Sequence, residues 1–165
     1  YNVLAAFYAA CVSFAGQCYG AGNFRRIRQV ARTAMLLALV SVTAMSTFFT
    51  FFYGPAISLY NPDPEVIATG KVRLLIASWS YIPYAVSEIL LGCLRGMKRS
   101  SIPTAINIFC MCAIRVAWVQ FIFPLHHTLE WLCLGYPVSY ICGAIAMGIY
   151  YLHTMRVLTK KQLPA

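Results

Sequence analysis

The sequence predicts an all-α polytopic membrane protein with five transmembrane helices, and three observations carry that reading. Hydrophobic residues make up 61% of the chain and charged residues 10%, with mean hydropathy +0.70; soluble domains carry about 25% charged residues. Five apolar runs approach the ~20 residues that a helix needs to cross a ~30 Å hydrocarbon core. The lysines and arginines fall between those runs, mostly in alternate connections.

The first run covers residues 3–19 and stops at Gly20-Ala21-Gly22-Asn23, residue types that accept the left-handed backbone of a helix end. Arg25, Arg26, Arg28 and Arg32 follow closely, so residues 20–32 read as a basic loop. The second span, 33–53, carries Ser41, Thr43, Ser46, Thr47 and Thr50. Small hydroxylated residues let helices approach closely in lipid and can bond back to their own carbonyls. Pro55 is expected to end it. Asn61-Pro62-Asp63-Pro64-Glu65 reads as a turn and a helix start, with Asp63 as N-cap and Pro64 at the first helical position.

The third span, 74–94, leads into a second basic loop, 95–101, with Arg95, Lys98 and Arg99. The fourth, 102–123, contains Asn107, expected to bond between helices, and Arg115. A His126-His127 turn precedes the fifth span, 129–152, where Pro137 removes a backbone donor and should kink the helix. A polar tail, 153–165, carries Arg156, Lys160 and Lys161. Ten of the 13 Lys and Arg lie on one side, two (Lys71 and Arg73) on the other, and Arg115 within a span. The positive-inside rule then places loops 20–32 and 95–101 and the C-terminus in the cytoplasm. The chain opens at Tyr1 inside an apolar run, without an initiator Met or signal-peptide pattern, and is expected to be a fragment.

Several function classes are disfavoured. A net charge of +9 could serve nucleic acid, but here the basic residues sit between apolar runs instead of on a polar surface, so no nucleic acid is expected. The seven cysteines form no C-x-x-C pair and no zinc spacing with histidine, and read as packing residues with no metal site. Gly20-Ala21-Gly22-Asn23 follows a helix and lacks the context of a phosphate loop. Without H-E-x-x-H or G-x-S-x-G the chain is not expected to be an enzyme.

The chemistry concentrates on the third span. Positions 81, 84, 88, 92 and 95 share a helix face, which carries Tyr81, Tyr84, Glu88, Gly92 and Arg95, with Pro83 as a nearby bend. A carboxylate within a span is costly and is a functional candidate by default. Flanking tyrosines add cation–π attraction, so Glu88 with Tyr84 and Tyr81 suits a cation, and its carboxyl could exchange H⁺ or Na⁺ for an organic cation. Arg115, about 8 Å away in axial depth at 1.5 Å per residue, is the alternative partner: Glu88 and Arg115 could form a structural pair. Both readings stand on the residues alone.

Taken in order, Ser13-Phe14-Ala15-Gly16-Gln17, Gly20-Ala21-Gly22-Asn23 with its basic stretch, Asn61-Pro62-Asp63-Pro64-Glu65-Val66-Ile67, Gly92-Cys93-Leu94-Arg95-Gly96-Met97 and Tyr136-Pro137-Val138-Ser139 resemble the C-terminal half of a multidrug and toxic compound extrusion (MATE) transporter. The resemblance covers nearly the whole length. It implies five helices of a twelve-helix, two-lobe transporter, with residues 1–165 in the C-terminal lobe and the N-terminal lobe of the same protein as its missing partner. It also implies a multi-pass protein of the cell (plasma or inner) membrane that exchanges H⁺ or Na⁺, its coupling ion, for small organic cations and drugs, with no further cofactor. An acid on the tenth helix takes part in cation binding in several branches of that family, and Glu88 falls on the matching helix. The sequence departs at Met97-Lys98-Arg99, where many members carry a Gly-Asp-like turn. Two alternatives remain, a lipid or polysaccharide flippase, whose anionic substrates call for several cavity-facing arginines or lysines, and a non-transporting membrane scaffold.

Overall fold

The computed structural model describes residues 1–58, 64–122, 124 and 129–160. The helices are α1 (Asn2–Gly20), α2 (Phe24–Ser58), α3 (Pro64–Gly96), α4 (Ser101–Ile108), α5 (Ile114–Ala117) and α6 (Leu129–Lys160), with π-helical turns at Phe109–Ala113 and Trp118–Ile122 on either side of α5. Among the described residues five stretches are long and apolar enough to cross a membrane: Asn2–Gly20, Phe24–Pro55, Thr69–Gly96, Ser101–Phe121 and Trp131–Thr159. The all-α, five-span fold class is therefore the one observed. The turn expected at Asn61-Pro62-Asp63, the His126-His127 turn and Lys161 lie outside the described residues.

α1 stops where its glycines and asparagine predict. Gly22 takes a positive φ of 69°, and the Asn23 N–H bonds the Cys18 carbonyl at 2.9 Å, satisfying one orphan acceptor of the helix end. Residues 20–32, expected as a basic loop, are mostly helical: the connection ends at Asn23 and the four arginines stand on the first turns of α2. Two local causes account for this. The Asn23 side-chain oxygen accepts the Arg26 N–H at 3.1 Å, an N-cap bond, and Ile27 and Ala31, one turn apart, are buried in the core.

Pro55 kinks α2 without ending it. The helix runs on to Ser58, with Phe52 pushed to φ −106°, ψ 19°, because the proline ring collides with the carbonyl four residues earlier, that of Phe51. The hydroxyls of α2 act as expected: Ser41 and Thr50 donate to the carbonyls of Leu37 and Ser46, each at 2.8 Å, and Ser46 donates across to the Ser78 carbonyl of α3 at 2.8 Å. Asn107 differs. Among the described residues it makes no side-chain hydrogen bond, whereas Ser46 links α2 to α3.

α3 is the centre of the bundle, with α1, α2 and α6 all packed along it. Its buried residues Ala85, Ile89, Leu91, Cys93 and Leu94, with Met97 of the following turn, form the core with Leu4, Cys11 and Ala15 of α1, Ala38 of α2 and Met147 and Met155 of α6. Lipid tails are as apolar as leucine, so such helices associate by close packing more than by a hydrophobic drive. The α1–α3 seam shows how. A Cβ at Gly92 would lie 2.9 Å from the Tyr8 carbonyl oxygen, and one at Gly96 would lie 2.6 Å from that of Val12. The Gly92-x-x-x-Gly96 pair thus lets the two backbones touch. The opposite faces of α2 and α6 expose Leu36, Leu37, Val40, Phe48, Phe51, Ile145 and Ile149, side chains suited to hydrocarbon.

The α3–α4 connection is a tight turn in which Arg99 N–H bonds the Leu94 carbonyl at 3.0 Å and Lys98 sits at φ 58°. A lysine there bears the left-handed strain of about 1–2 kcal/mol that a glycine would not. Arg95, expected on the Glu88 face, is structural instead: it donates to the Tyr8 hydroxyl at 2.6 Å and to Thr104 at 3.1 Å, tying α1, α3 and α4 together. At the other end α6 continues through Pro137 to Lys160, so residues 153–160, expected in a polar tail, are helical. All seven cysteines are free thiols, with Cys11, Cys93, Cys110 and Cys133 buried.

Candidate functional site

The site lies on the α3–α6 seam, where the helical repeat of α3 sets Tyr81, Tyr84 and Glu88 one above another. Tyr81 and Tyr84 meet edge to face with ring centroids 5.8 Å apart, and Tyr84 in turn packs on Tyr140 of α6 at 4.9 Å. Tyr140 is followed by Tyr136 at 6.5 Å, one turn along the same helix. Glu88 is half-buried and lies within interaction range of the Tyr84 hydroxyl. The result is a strip of four tyrosine rings with a carboxyl beside one of the middle rings.

Arg115 closes the strip on the opposite helix. Its guanidinium lies 4.4 Å from the Tyr136 ring centroid and 5.0 Å from that of Tyr140, contacts in the range of cation–π attraction. Arg115 Nε donates to Ser139 Oγ at 3.3 Å, and Ser139, fully buried, donates onward to the Tyr136 carbonyl at 2.9 Å. Two π-helical turns bracket the four residues of α5 that carry Arg115. Each π turn holds an extra residue per turn, which rotates the helix face and brings the guanidinium onto α6.

The four residues singled out from the sequence, Glu88, Tyr84, Tyr81 and Arg115, thus share one cluster, joined through Tyr136 and Tyr140. Glu88 and Arg115 are not an ion pair. Among the described residues no ion pair joins them, the guanidinium being taken up by two rings and Ser139. An axial offset of about 8 Å is within reach of two long side chains, but depth does not fix rotation about the helix axis. Tyr140 went unmarked in the sequence, and Tyr136 counted there only as part of a proline motif. Their spacing of four, the same as that of Tyr84 and Glu88, was the available signal.

Two further features bear on chemistry. Among the described residues no group of three or more His, Cys, Asp or Glu side chains comes together. A single carboxylate of this kind suits one monovalent charge, whereas Ca²⁺ takes 6–8 oxygen ligands. Beside Arg115 opens a cavity of about 260 Å³ lined by Arg73, Arg115, Trp118, Cys133, Gly135 and Tyr136. A Cβ on Gly135 would sit 3.0 Å from the Trp118 ring, so glycine is what admits the indole there. The Trp118 N–H is held by the Trp131 carbonyl at 2.8 Å.

Comparison with known proteins agrees with this architecture. The chain is 28% identical over 152 residues to the probable multidrug resistance protein YoeA of Bacillus subtilis, covering 91% of this chain and 32% of that protein. It is 25% identical over 150 residues to a protein of Shewanella oneidensis named FAD transporter, again covering 91% and 32%. The chain therefore spans about a third of the length of these two relatives. Among solved structures, the inward-facing conformation of a multidrug resistance MATE family transporter of the MOP superfamily superposes with TM-score 0.84 at 15% identity, over 94% of this chain and 36% of that one. The profile of the MatE family matches residues 1–119. The chain belongs to that family, the multidrug and toxic compound extrusion transporters.

Proposed function

We propose that the chain is part of the C-terminal lobe of a secondary antiporter, its basic helix ends and C-terminus cytoplasmic, that exports amphipathic organic cations in exchange for H⁺ or Na⁺. In this reading Glu88 is the cation site and the tyrosine strip the surface on which an aromatic or quaternary cation rests. One observation carries it. Glu88, within a membrane-spanning helix, forms no ion pair among the described residues, while the nearest deep cation, Arg115, is occupied by Tyr136, Tyr140 and Ser139. Its charge is thereby left for a mobile cation, to which the ring face of Tyr84 adds attraction. The names of relatives such as the Bacillus subtilis protein support export of drugs.

The test is efflux of a fluorescent organic cation from cells making the two-lobe protein that contains this chain, under imposed proton or sodium gradients. Glu88→Gln at matched protein level is expected to lower the efflux rate at least tenfold, the loss of one charge interaction of about 1.4 kcal/mol or more. Equal efflux by wild type and variant would refute the assignment.

A second reading is favoured by the cavity beside Arg115. Arg73 joins Arg115 there, among Trp118 and Tyr136, so two guanidiniums and aromatic faces meet, the setting an aromatic or phosphorylated anion requires. The flippase alternative needs such a pair, and the relative named FAD transporter points to the same charge class. If flavin nucleotide moves in an Arg115-dependent way while organic cations do not move at all, the anion reading replaces the cation one.

A further inference from the structure

A second groove has a different chemistry from the tyrosine strip. α2 and α6 each pack along α3 but barely touch one another, and at the basic end of the bundle the space between them is about 840 Å³. That volume is within the 300–1,000 Å³ of ordinary ligand pockets. Its floor and walls are apolar, built from Ala31, Met35 and Leu36 of α2, Leu90 of α3 and Leu152 and Met155 of α6. Its rim carries Arg28, Arg32 and Arg156.

Among the described residues the three guanidiniums have no anionic partner. Arg28 bridges the mouth by donating to Thr159 Oγ1 at 2.7 Å, and among the described residues no carboxylate pairs with any of the three. Tyr151, another lining residue, is 8% exposed, and its hydroxyl is buried without a hydrogen-bond partner. The groove is thus an apolar slot with a triply cationic mouth.

We propose that this groove binds an anionic phospholipid of the leaflet facing the basic helix ends, with the headgroup phosphate on Arg28, Arg32 and Arg156 and an acyl chain along Met35, Leu36 and Leu152. The charges decide the occupant. Another apolar helix would cover the floor and leave three arginines uncompensated, whereas a lipid supplies hydrocarbon and a phosphate in the order the groove presents them. Arginine stems that lie along apolar surface with their heads at the interface fit the same boundary. The proposal rests on the functional reading above only for which leaflet is meant.

The protein carrying this chain, purified from symmetric bilayers of phosphatidylglycerol and phosphatidylcholine with matched acyl chains, is examined by native mass spectrometry for retained lipid and by thermal melting with each lipid added back. Symmetric bilayers make the result independent of orientation and of transport. Wild type is expected to retain one phosphatidylglycerol, with a preference over phosphatidylcholine on the order of a hundredfold for three surface cations. Arg28→Gln/Arg32→Gln/Arg156→Gln should abolish that preference. Arg25→Gln/Arg26→Gln/Arg99→Gln, which removes as many charges outside the groove, should keep it. Gly148→Leu fills the groove and leaves every charge in place, since a Cβ there meets nothing within 4 Å, and it should also lose the lipid. Retention by the groove triple, equal loss in both triples, or retention by Gly148→Leu would each overturn the proposal.

Discussion

Arg115 gains its position from several weak partners acting together, among them two tyrosine rings and a buried serine that is itself tied to a backbone carbonyl. Cation–π contacts contribute about 0.5–2 kcal/mol each depending on desolvation, so the rings, not a counter-charge, hold the guanidinium away from Glu88. Tyr140 is the hinge of that arrangement, because it touches Arg115 on one side and Tyr84 on the other. Tyr140→Phe is expected to keep transport within about twofold of wild type, and Tyr140→Leu to lower it about tenfold, for a loss of some 1–2 kcal/mol of ring contact; initial efflux rates at matched protein level measure both. Equal rates for Tyr140→Leu and wild type would remove the strip from the site. The residue types of the site were legible in the sequence, since a carboxylate inside an apolar run announces itself by cost alone. The partners of Arg115 were not. Rotation of the fourth span about its axis is set by the two π-helical turns around α5, and Phe109–Ala113 and Trp118–Ile122 read as ordinary apolar helix.

Among the elements, α3 dominates because it is the helix against which α1, α2 and α6 pack, and its glycines fix the closest of those contacts. At Gly96 an added methyl group would meet the Val12 carbonyl oxygen and the Ala15 side chain of α1, at 2.6 and 2.9 Å. Backbone cannot yield as a flexible side chain does, so Gly96→Ala is expected to destabilise by about 1–3 kcal/mol. Gly54→Ala, inside α2 with nothing within 4 Å of the new Cβ, should be neutral or stabilise by up to about 1 kcal/mol from reduced backbone entropy. Thermal melting of the two variants in the same detergent checks the pair, and equal melting temperatures would contradict the seam described for α1 and α3. That there are five spans was legible from apolar run length, since among the described residues each such run is a helix long enough to cross hydrocarbon. The ends were less so. Run length marks where hydrocarbon stops, but helix continues past it when a cap and a buried face support it, as Asn23, Ile27 and Ala31 do at the start of α2. Pro55 likewise bends a helix that tertiary contacts prolong.

At the scale of the whole molecule, polar groups are sorted by depth. Arginines crowd one end of the bundle, where Arg95 binds helices together and Arg28, Arg32 and Arg156 ring an apolar groove. A carboxyl lies on the central helix among tyrosines, and the cavity with Arg73 and Arg115 lies beyond it. In the proposed exchanger, Glu88 is a carboxylate that neither arginine cluster pairs with among the described residues, and at which the coupling ion and the substrate would displace one another. Binding of two ligands to one site is reciprocal, each weakening the other by the same factor. The most direct measurement is therefore equilibrium binding of a labelled lipophilic organic cation to the purified two-lobe protein across a range of pH and Na⁺ concentration, for wild type and Glu88→Gln. The account predicts that H⁺ or Na⁺ displaces the organic cation from wild type, and that Glu88→Gln binds it weakly and without competition; competition of equal strength in both proteins would place the shared cation site elsewhere.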